Sequence, residues 1–136
     1  MYTTNLAQAK TTIKAAFSGH VVKHRIYLVN AVANGYSSGG AWVDSEVDIM
    51  NEQMAYGSGI FSPVSTGSAL PVNYRVEKNQ LPLFSMNPAM LNTRENYWLR
   101  DVISASYFAY VGDYGFAASL YGASGSFGVR PAFCIS

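Results

Sequence analysis

The sequence predicts a single α+β domain with two short helices, a twisted antiparallel sheet and long loops. Two segments in the first half have the apolar spacing of helices, the middle holds four of the five prolines, and the last forty residues favour short β-strands. At 136 residues, the chain is long enough for one domain with a core and too short for two of ordinary size.

The first predicted element is an amphipathic helix over residues 4–17. Its apolar residues recur at spacings of three and four: Leu6, Ala9, Ile13, Ala16 and Phe17. Gly19 is placed to end this helix. A β-strand is predicted over 25–30 because this segment is short and rich in β-forming residues, and the turn-forming residues 34–40 predict a loop after it.

A second helix is predicted after this loop. Asp44 or Ser45 is expected to cap its N-terminus, and the acidic residues Glu46 and Asp48 suit its first turn. The other residues assigned to it are its apolar face, Val47, Met50 and Met54, and its terminating glycines, Gly57 and Gly59.

The middle of the chain, residues 60–96, is predicted to wrap over the core as long packed loops. Its prolines are Pro63, Pro71, Pro82 and Pro88. The last forty residues predict a sheet, with short strands over 97–100, 107–111 and 129–135. Trp98, inside the first of these strands, is expected to lie in the core.

Charge and cysteine content argue against several classes of function. Charged residues make up 12% of the chain and the net charge is +1, so no surface for nucleic acid or an anionic membrane is expected. No segment has the roughly 18 unbroken apolar residues of a membrane-spanning helix, and no signal peptide is expected. The single cysteine, Cys134, excludes an intrachain disulfide and a Cys-based zinc site, and it is expected to be buried.

The sequence offers little support for metal binding or catalysis. His20 and His24 have the spacing of a helical metal pair, but Gly19 and the predicted strand disfavour a helix there. The acidic residues at 44, 46 and 48 fit a helix N-terminus better than a calcium site. Because the chain has no nucleophile elbow, zinc-protease motif or phosphate loop, we expect no enzyme activity, no cofactor and no metal.

Two arginines, Arg100 and Arg130, lie in weakly charged segments of the C-terminal part. A buried guanidinium is tolerated only with partners, so each is expected to clamp the scaffold through carbonyls or through a carboxylate. The candidate carboxylates are Asp101, Glu95 and Asp44.

The most informative segment is 103–127, which holds one charged residue, Asp113, and seven aromatic residues. Tyrosine provides a large contact area at a low side-chain entropy cost, so this composition is typical of a binding surface. Ordinary Gly/Ser hairpin loops and a low-complexity tail are the alternatives. The segment also lacks Lys, Glu, Gln, Met and Trp, of which the other residues include 18, and none of these five types has a codon ending in a pyrimidine.

The C-terminal segments also carry a family resemblance. Its motifs are Tyr97-Trp-Leu-Arg-Asp-Val102, Phe108-Ala109, Val111, Gly115, Ala117 and Gly128-Val-Arg-Pro-Ala-Phe133. They resemble the C-type-lectin-like variable proteins of diversity-generating retroelements, especially those in phages of gut bacteria. Two earlier segments, 24–30 and 38–48, look like the scaffold of the same family.

The resemblance implies one C-type-lectin-like domain over 1–136, with a scaffold over about 1–102, a variable region over about 103–127 and a final strand over about 128–135. In that family, a mutagenic reverse transcriptase randomises adenines in Asn codons that end in a pyrimidine. This chemistry would account for the five missing residue types.

The resemblance also separates fixed positions from variable ones, which the family fold places on an exposed face. The candidate ligand-binding positions are Ser106, Tyr107, Tyr110, Gly112, Asp113, Tyr114, Phe116, Ala118, Ser119, Leu120, Tyr121, Gly125 and Phe127. The positions expected to be fixed are Phe108, Ala109, Val111, Gly115, Ala117, Ala123, Ser124 and Ser126. Gly122 is left between the two classes.

The implied function is that of a non-enzymatic ligand-binding domain with a hypervariable Tyr/Ser/Gly-rich surface. Its expected partner is a protein or glycan on a bacterial surface. Its expected location is a phage tail or another exposed part of the virion, or otherwise the bacterial cell surface, as a homotrimer or as part of a larger virion protein. The alternative is a structural domain whose loops pack on a partner chain of an assembly.

Overall fold

The computed structural model describes residues 4–30, 32–33, 36–37, 39–62 and 80–136, which form short helices and small, mostly antiparallel sheets. The helices are α1 (Asn5–Ala16), α2 (Glu52–Tyr56), α3 (Pro82–Met86) and a 3-10 helix (Pro88–Leu91). The strands are β1 (Val21–Val22), β2 (His24–Val29), β3 (Val32–Ala33), β4 (Tyr36–Ser37), β5 (Gly40–Ser45), β6 (Val47–Ile49), β7 (Tyr97–Val102), β8 (Phe108–Val111), β9 (Ala117–Ala118), β10 (Gly128–Val129) and β11 (Pro131–Ile135). The mixed α+β class is confirmed.

Helix α1 forms where the apolar spacing predicts it, but it lies shallowly on the surface. Leu6 is its one buried residue, and Phe17, just after the helix, is exposed. The Phe17 ring packs against that of Phe133, with centroids 5.3 Å apart. Gly19 follows with φ +79°, a left-handed conformation that glycine adopts without strain. The chain then turns into β1.

The prediction of a second helix starting near residue 44 is wrong. Residues 40–45 form β5, which pairs antiparallel with β2, and β6 pairs antiparallel with β11. Asp44 and Ser45 therefore lie in a strand and cap nothing. The N-cap is Asn51, whose Oδ1 accepts a hydrogen bond from Met54 N at 2.8 Å, and α2 ends at the left-handed Gly57 as predicted.

The segments predicted as loops contain regular structure. Strand β4, inside the loop predicted over 34–40, pairs antiparallel with β3. Pro82 and Pro88 each lie in the first turn of a short helix, where the missing N–H of proline needs no partner. Gly40, the last residue of that predicted loop, begins β5, whereas residues 34, 35 and 38 of the first loop, and Pro63 and Pro71 of the second, lie outside the described residues.

The C-terminal sheet has the order β10-β7-β8-β9 and includes the strands predicted over 97–100 and 107–111. Strand β10 runs parallel to β7, and the other neighbours are antiparallel. Arg130 divides the predicted last strand, because β10 joins this sheet and β11 joins the sheet of β1 and β6. The register places Trp98 opposite both Val129 and Tyr110, and Tyr110 opposite Ala118.

The two faces of this sheet bury different clusters, because successive residues of a strand point to opposite sides. One cluster contains Tyr97, Leu99, Ala109 and Val111 from the sheet, with Met50, Ala55, Phe84 and Leu91. The other contains Trp98, Tyr110 and Ala118 from the sheet, with Leu6 and Ile49. Trp98 is completely buried, so its predicted core position is confirmed.

A buried carboxylate, which the sequence analysis missed, joins α2 to the segment after it. Glu52 is fully buried, and its carboxylate accepts hydrogen bonds from the backbone N–H groups of Ile60, Phe61 and Ser62 and from the Ser62 hydroxyl, at 2.7–3.1 Å. The backbone N–H of Glu52 in turn donates to Asp101 Oδ2 at 2.6 Å. These bonds connect α2 to the central strand β7.

Candidate functional site

Four aromatic rings form a stack on one face of the C-terminal sheet. Trp98 lies on β7, Tyr110 on β8, and Tyr121 and Phe127 in the segment between β9 and β10. The ring centroid of Phe127 lies 4.6 Å from that of Trp98, 4.9 Å from that of Tyr110 and 5.3 Å from that of Tyr121. Most of the contacts are tilted or edge-to-face, the arrangements that aromatic rings prefer.

This aromatic stack runs from the core to solvent. Trp98 and Tyr110 are buried, Phe127 is half-buried, and Tyr121 is 53% exposed. Burial raises the pKa of the Tyr110 hydroxyl, and the neighbouring Tyr121 acts in the same direction. The exposed Tyr121 ring therefore packs on other rings, which reduces the side-chain entropy that it can lose when a ligand binds.

A tight turn at residues 112–116 presents a second group of side chains. The backbone N–H of Gly112 donates to the carbonyl of Phe116 at 2.7 Å, and Gly115 has φ +89°. The Phe116 ring lies where a Cβ on Gly112 would be, so glycine is required for this packing. Tyr114, at the tip of the turn, is 78% exposed.

The loops around the stack are tied together by backbone hydrogen bonds. Ala123 N donates to Ser106 O at 2.9 Å, and Tyr107 pairs with Gly122 in an isolated antiparallel bridge. A Cβ on Gly125 would lie 3.3 Å from the Trp98 ring, so this loop passes directly over the core tryptophan. These bonds join the loop between β7 and β8 to the loop between β9 and β10, so that the two form one surface.

The structure divides the candidate positions by exposure. The exposed positions are Ser106, Tyr107, Tyr114, Phe116, Leu120 and Tyr121. The half-buried positions are Asp113, Ser119, Gly125 and Phe127. The buried positions are Tyr110, Gly112 and Ala118, for which the expectation of an exposed side chain is wrong.

The burial of these three positions has a direct cause. Tyr110 and Ala118 lie opposite each other on the sheet face that packs against Leu6 and Trp98. Gly112 is covered by the Phe116 ring. Of the positions expected to be fixed, Ala109 and Val111 are completely buried on the opposite face. The half-buried ones are Phe108, Gly115, Ala117 and Ala123, and Ser124 and Ser126 are exposed.

Arg130 is held by carbonyl and aromatic groups. Its Nη1 donates to Met90 O at 2.7 Å, and its guanidinium lies 4.9 Å from the Phe84 ring centroid and 5.5 Å from that of Tyr97. Burial raises the pKa of Tyr97, and its hydrogen bond from Arg130 opposes this rise. Arg130 therefore connects α3 and the 3-10 helix to β7, as a scaffold clamp would.

Arg100 donates from Nη1 to Ile49 O at 3.0 Å. Two of the three candidate carboxylates have other contacts, since Asp101 accepts from Glu52 N and Asp44 lies 3.8 Å from Arg25. Of the two kinds of partner expected from the sequence, carbonyls or a carboxylate, both arginines bind backbone carbonyls.

The remaining candidate groups are dispersed. Cys134 is exposed, so the prediction of a buried thiol is wrong: β11 ends at the molecular surface. His20 Nδ1 lies 3.0 Å from Ser136 O. Glu46 accepts a hydrogen bond from Lys14 at 2.6 Å, which lowers the pKa of the Glu46 carboxyl. Among the described residues, no three His, Cys, Asp or Glu side chains come close enough to hold a metal ion.

These features define an α+β domain with an ordered, aromatic and weakly charged loop surface. Residues 22–136 match the family described as Domain of unknown function (DUF6273), and the chain belongs to this family. No curated protein and no solved structure matches the chain. In the part of the chain that the structure describes, no helix is both long and apolar enough to cross a membrane.

Proposed function

We propose that the protein is a non-enzymatic binding module with a C-type-lectin-like fold, of the variable class of diversity-generating retroelements. In this proposal, the segment over about 103–127 presents a diversified surface to a protein or glycan on a bacterial cell. The observation that carries it is the aromatic stack, in which exposed Tyr121 rests on half-buried Phe127 and on buried Tyr110.

The physical chemistry of the surface supports binding. Tyr107, Tyr114, Phe116 and Tyr121 place four exposed aromatic rings in these loops, and Asp113 is the segment's one charged residue. Exposed aromatic side chains on an ordered backbone give contact area at a small entropy cost, because little of the site has to become ordered on binding.

The division into exposed and buried positions limits where the proposed surface can vary. The exposed candidate positions can change without disturbing a core, whereas Tyr110, Gly112 and Ala118 are restricted by their neighbours. We therefore expect the diversity that a ligand meets to lie at the exposed positions. The proposed location is an exposed part of a phage virion or a bacterial cell surface, as a homotrimer or within a larger virion protein.

Genomic DNA around the gene tests this proposal. The expected finding is a near-copy of the segment that encodes residues 97–135, with AAC or AAT at the candidate variable positions and a reverse transcriptase gene nearby. Sister sequences should differ at those positions and be identical at the positions that lie between them. Identical loops in all sister sequences, without such a copy, would overturn the proposal and favour a structural domain that packs on a fixed partner chain.

A further inference from the structure

A cavity of about 540 Å³ lies away from the aromatic stack. Its walls come from β2, β5, β6 and β11, from α2 and α3, and from Arg100 of β7. No residue of the candidate variable segment 103–127 lines it. This volume lies in the range of small-molecule sites, which are mostly apolar and contain a few polar groups.

Three residues that line this cavity each have a buried side-chain atom without a hydrogen-bond partner: His24 Nδ1, Gln53 Oε1 and Arg100 Nε. Gln53 is only 6% exposed. Buried polar atoms in folded proteins are nearly always paired, because an unpaired one loses its bonds to water without replacement. These three residues lie around one cavity, and their unpaired atoms are the observation from which a polar ligand is inferred below.

The charges around the cavity favour an acidic ligand. Among the described lining residues are three arginines, Arg25, Arg100 and Arg130, and one carboxylate, that of Asp48. Arg25 lies 3.8 Å from Asp44 and is largely exposed, so it belongs to the rim. Nη1 of Arg100 donates to Ile49 O, whereas its buried Nε–H has no partner and is a donor that a ligand can use.

The rest of the lining is apolar and partly aromatic. Of its lining residues, Met50, Phe84 and Tyr27 are buried, and Trp42 is 42% exposed. Tyr27 and Trp42 meet edge to face, with centroids 5.3 Å apart. Such walls suit a flat apolar body.

We infer that this cavity binds a small carboxylic acid with a flat apolar body. The carboxylate accepts a hydrogen bond from Arg100 Nε, and a donor on the body of the ligand bonds to Gln53 Oε1. The inference is independent of the proposed function, because the two sites share no residue and one can fail without the other.

Nuclear magnetic resonance titration of the ¹⁵N-labelled protein tests it with three matched probes. Indole-3-acetate has the carboxylate and an N–H donor, indole-3-acetamide lacks the charge, and 1-naphthaleneacetate lacks the donor. Indole-3-acetate should shift the Arg100 Nε–H and Trp42 Nε1–H signals saturably. The acetamide should bind at least tenfold more weakly, and the naphthalene acid severalfold more weakly.

Variants assign the effect to the two polar groups. Arg100→Lys keeps the charge but removes Nε–H, and it should weaken indole-3-acetate binding about tenfold while the acetamide is little affected. Gln53→Leu should remove the preference for the indole acid over the naphthalene acid. Tyr114→Ala, on the other surface, should change nothing. The absence of saturable shifts in the unsubstituted protein, or equal affinity for acid and amide, would overturn the inference.

Discussion

Tyr110 and Tyr121 meet edge to face with ring centroids 5.7 Å apart, although Tyr110 is 3% exposed and Tyr121 is 53% exposed. Two tyrosines of one loop-rich segment thus have different roles. The first completes a core cluster with Trp98 and Leu6, and the second presents a ring to solvent above that cluster. The stability of the domain and its proposed binding are therefore separable at neighbouring rings.

Truncation of these rings should reveal this separation. Tyr110→Ala removes a buried ring and should lower the free energy of unfolding by about 3 kcal/mol or more. Tyr114→Ala, at the exposed turn, should change it by no more than about 0.5 kcal/mol. Tyr121→Ala should fall between them, since about half of its ring is covered. Urea unfolding monitored by circular dichroism measures all three, and equal losses for Tyr110 and Tyr114 would contradict the assignment.

The contact between Gly112 and Phe116 predicts a coupling between two substitutions. Gly112→Ala should displace the Phe116 ring, so it should be more costly in the wild-type chain than in a Phe116→Ala background. Residues in direct contact give coupling energies of about 0.5–3 kcal/mol in double-mutant cycles. Thermal or urea unfolding of the four proteins measures this energy.

Gly115→Ala provides the contrast to that cycle. Its cost arises from the left-handed backbone at φ +89° and from a Cβ 3.2 Å from Asn92 N and 3.3 Å from Leu91 Cβ, so it should be the same with or without the Phe116 ring. A coupling of similar size for Gly112 and Gly115 would mean that the Phe116 ring does not rest on Gly112.

Local periodicity predicts α1 and the central strands, because their residues follow a helical or strand pattern over their own length. The same method fails at residues 44–49. There, acidic residues and the spacing of Val47 and Met50 imitate the start of a helix, but pairing with β11, more than eighty residues later, makes a strand. The local helical pattern was overridden by pairing with a strand distant in the sequence.

Composition identifies the segment that forms the loop surface, but it does not show which of its residues are buried. The aromatic segment 103–127, with its single charged residue, does contain exposed aromatic side chains. The burial of Tyr110, however, depends on Leu6 and Phe127, which no local sequence pattern connects to it. The cavity was equally inaccessible to sequence analysis. Gln53, Arg100 and His24 lie far apart in the chain and meet only in the folded structure.

The buried carboxylate of Glu52 should be essential for stability. Glu52→Gln keeps the size of the side chain, but it replaces one acceptor oxygen by an NH₂ group that faces the backbone donors of residues 60–62. Because hydrogen bonds to a charged group contribute about 1.5–3 kcal/mol, we expect a loss of about 3 kcal/mol. Glu46→Gln, which breaks the surface pair with Lys14, is the control and should barely change the melting temperature. Similar melting temperatures for the two variants would contradict the role of Glu52.

High pH should destabilise the domain through two buried tyrosines and one half-buried tyrosine. Burial raises the pKa values of Tyr56, Tyr97 and Tyr110 above the ordinary value of 10.0. Above that pH, the unfolded chain loses these tyrosyl protons while the folded chain keeps them, so the free energy of unfolding falls as pH rises. Melting temperatures between pH 8 and pH 11.5 should be level at first and then decline from about pH 10.

Tyr56→Phe tests the origin of this decline. Tyr56 donates a hydrogen bond to Gly115 O at 3.1 Å, so the variant should lose about 1 kcal/mol at neutral pH. Its melting temperature should nevertheless decline less steeply above pH 10, because the variant lacks one tyrosine whose pKa is raised in the folded state. Tyr114→Phe, at an exposed ring, should leave both the neutral stability and the alkaline slope unchanged. An alkaline slope that is the same in Tyr56→Phe and wild type would mean that the folded state does not hold the Tyr56 proton more tightly than the unfolded state does.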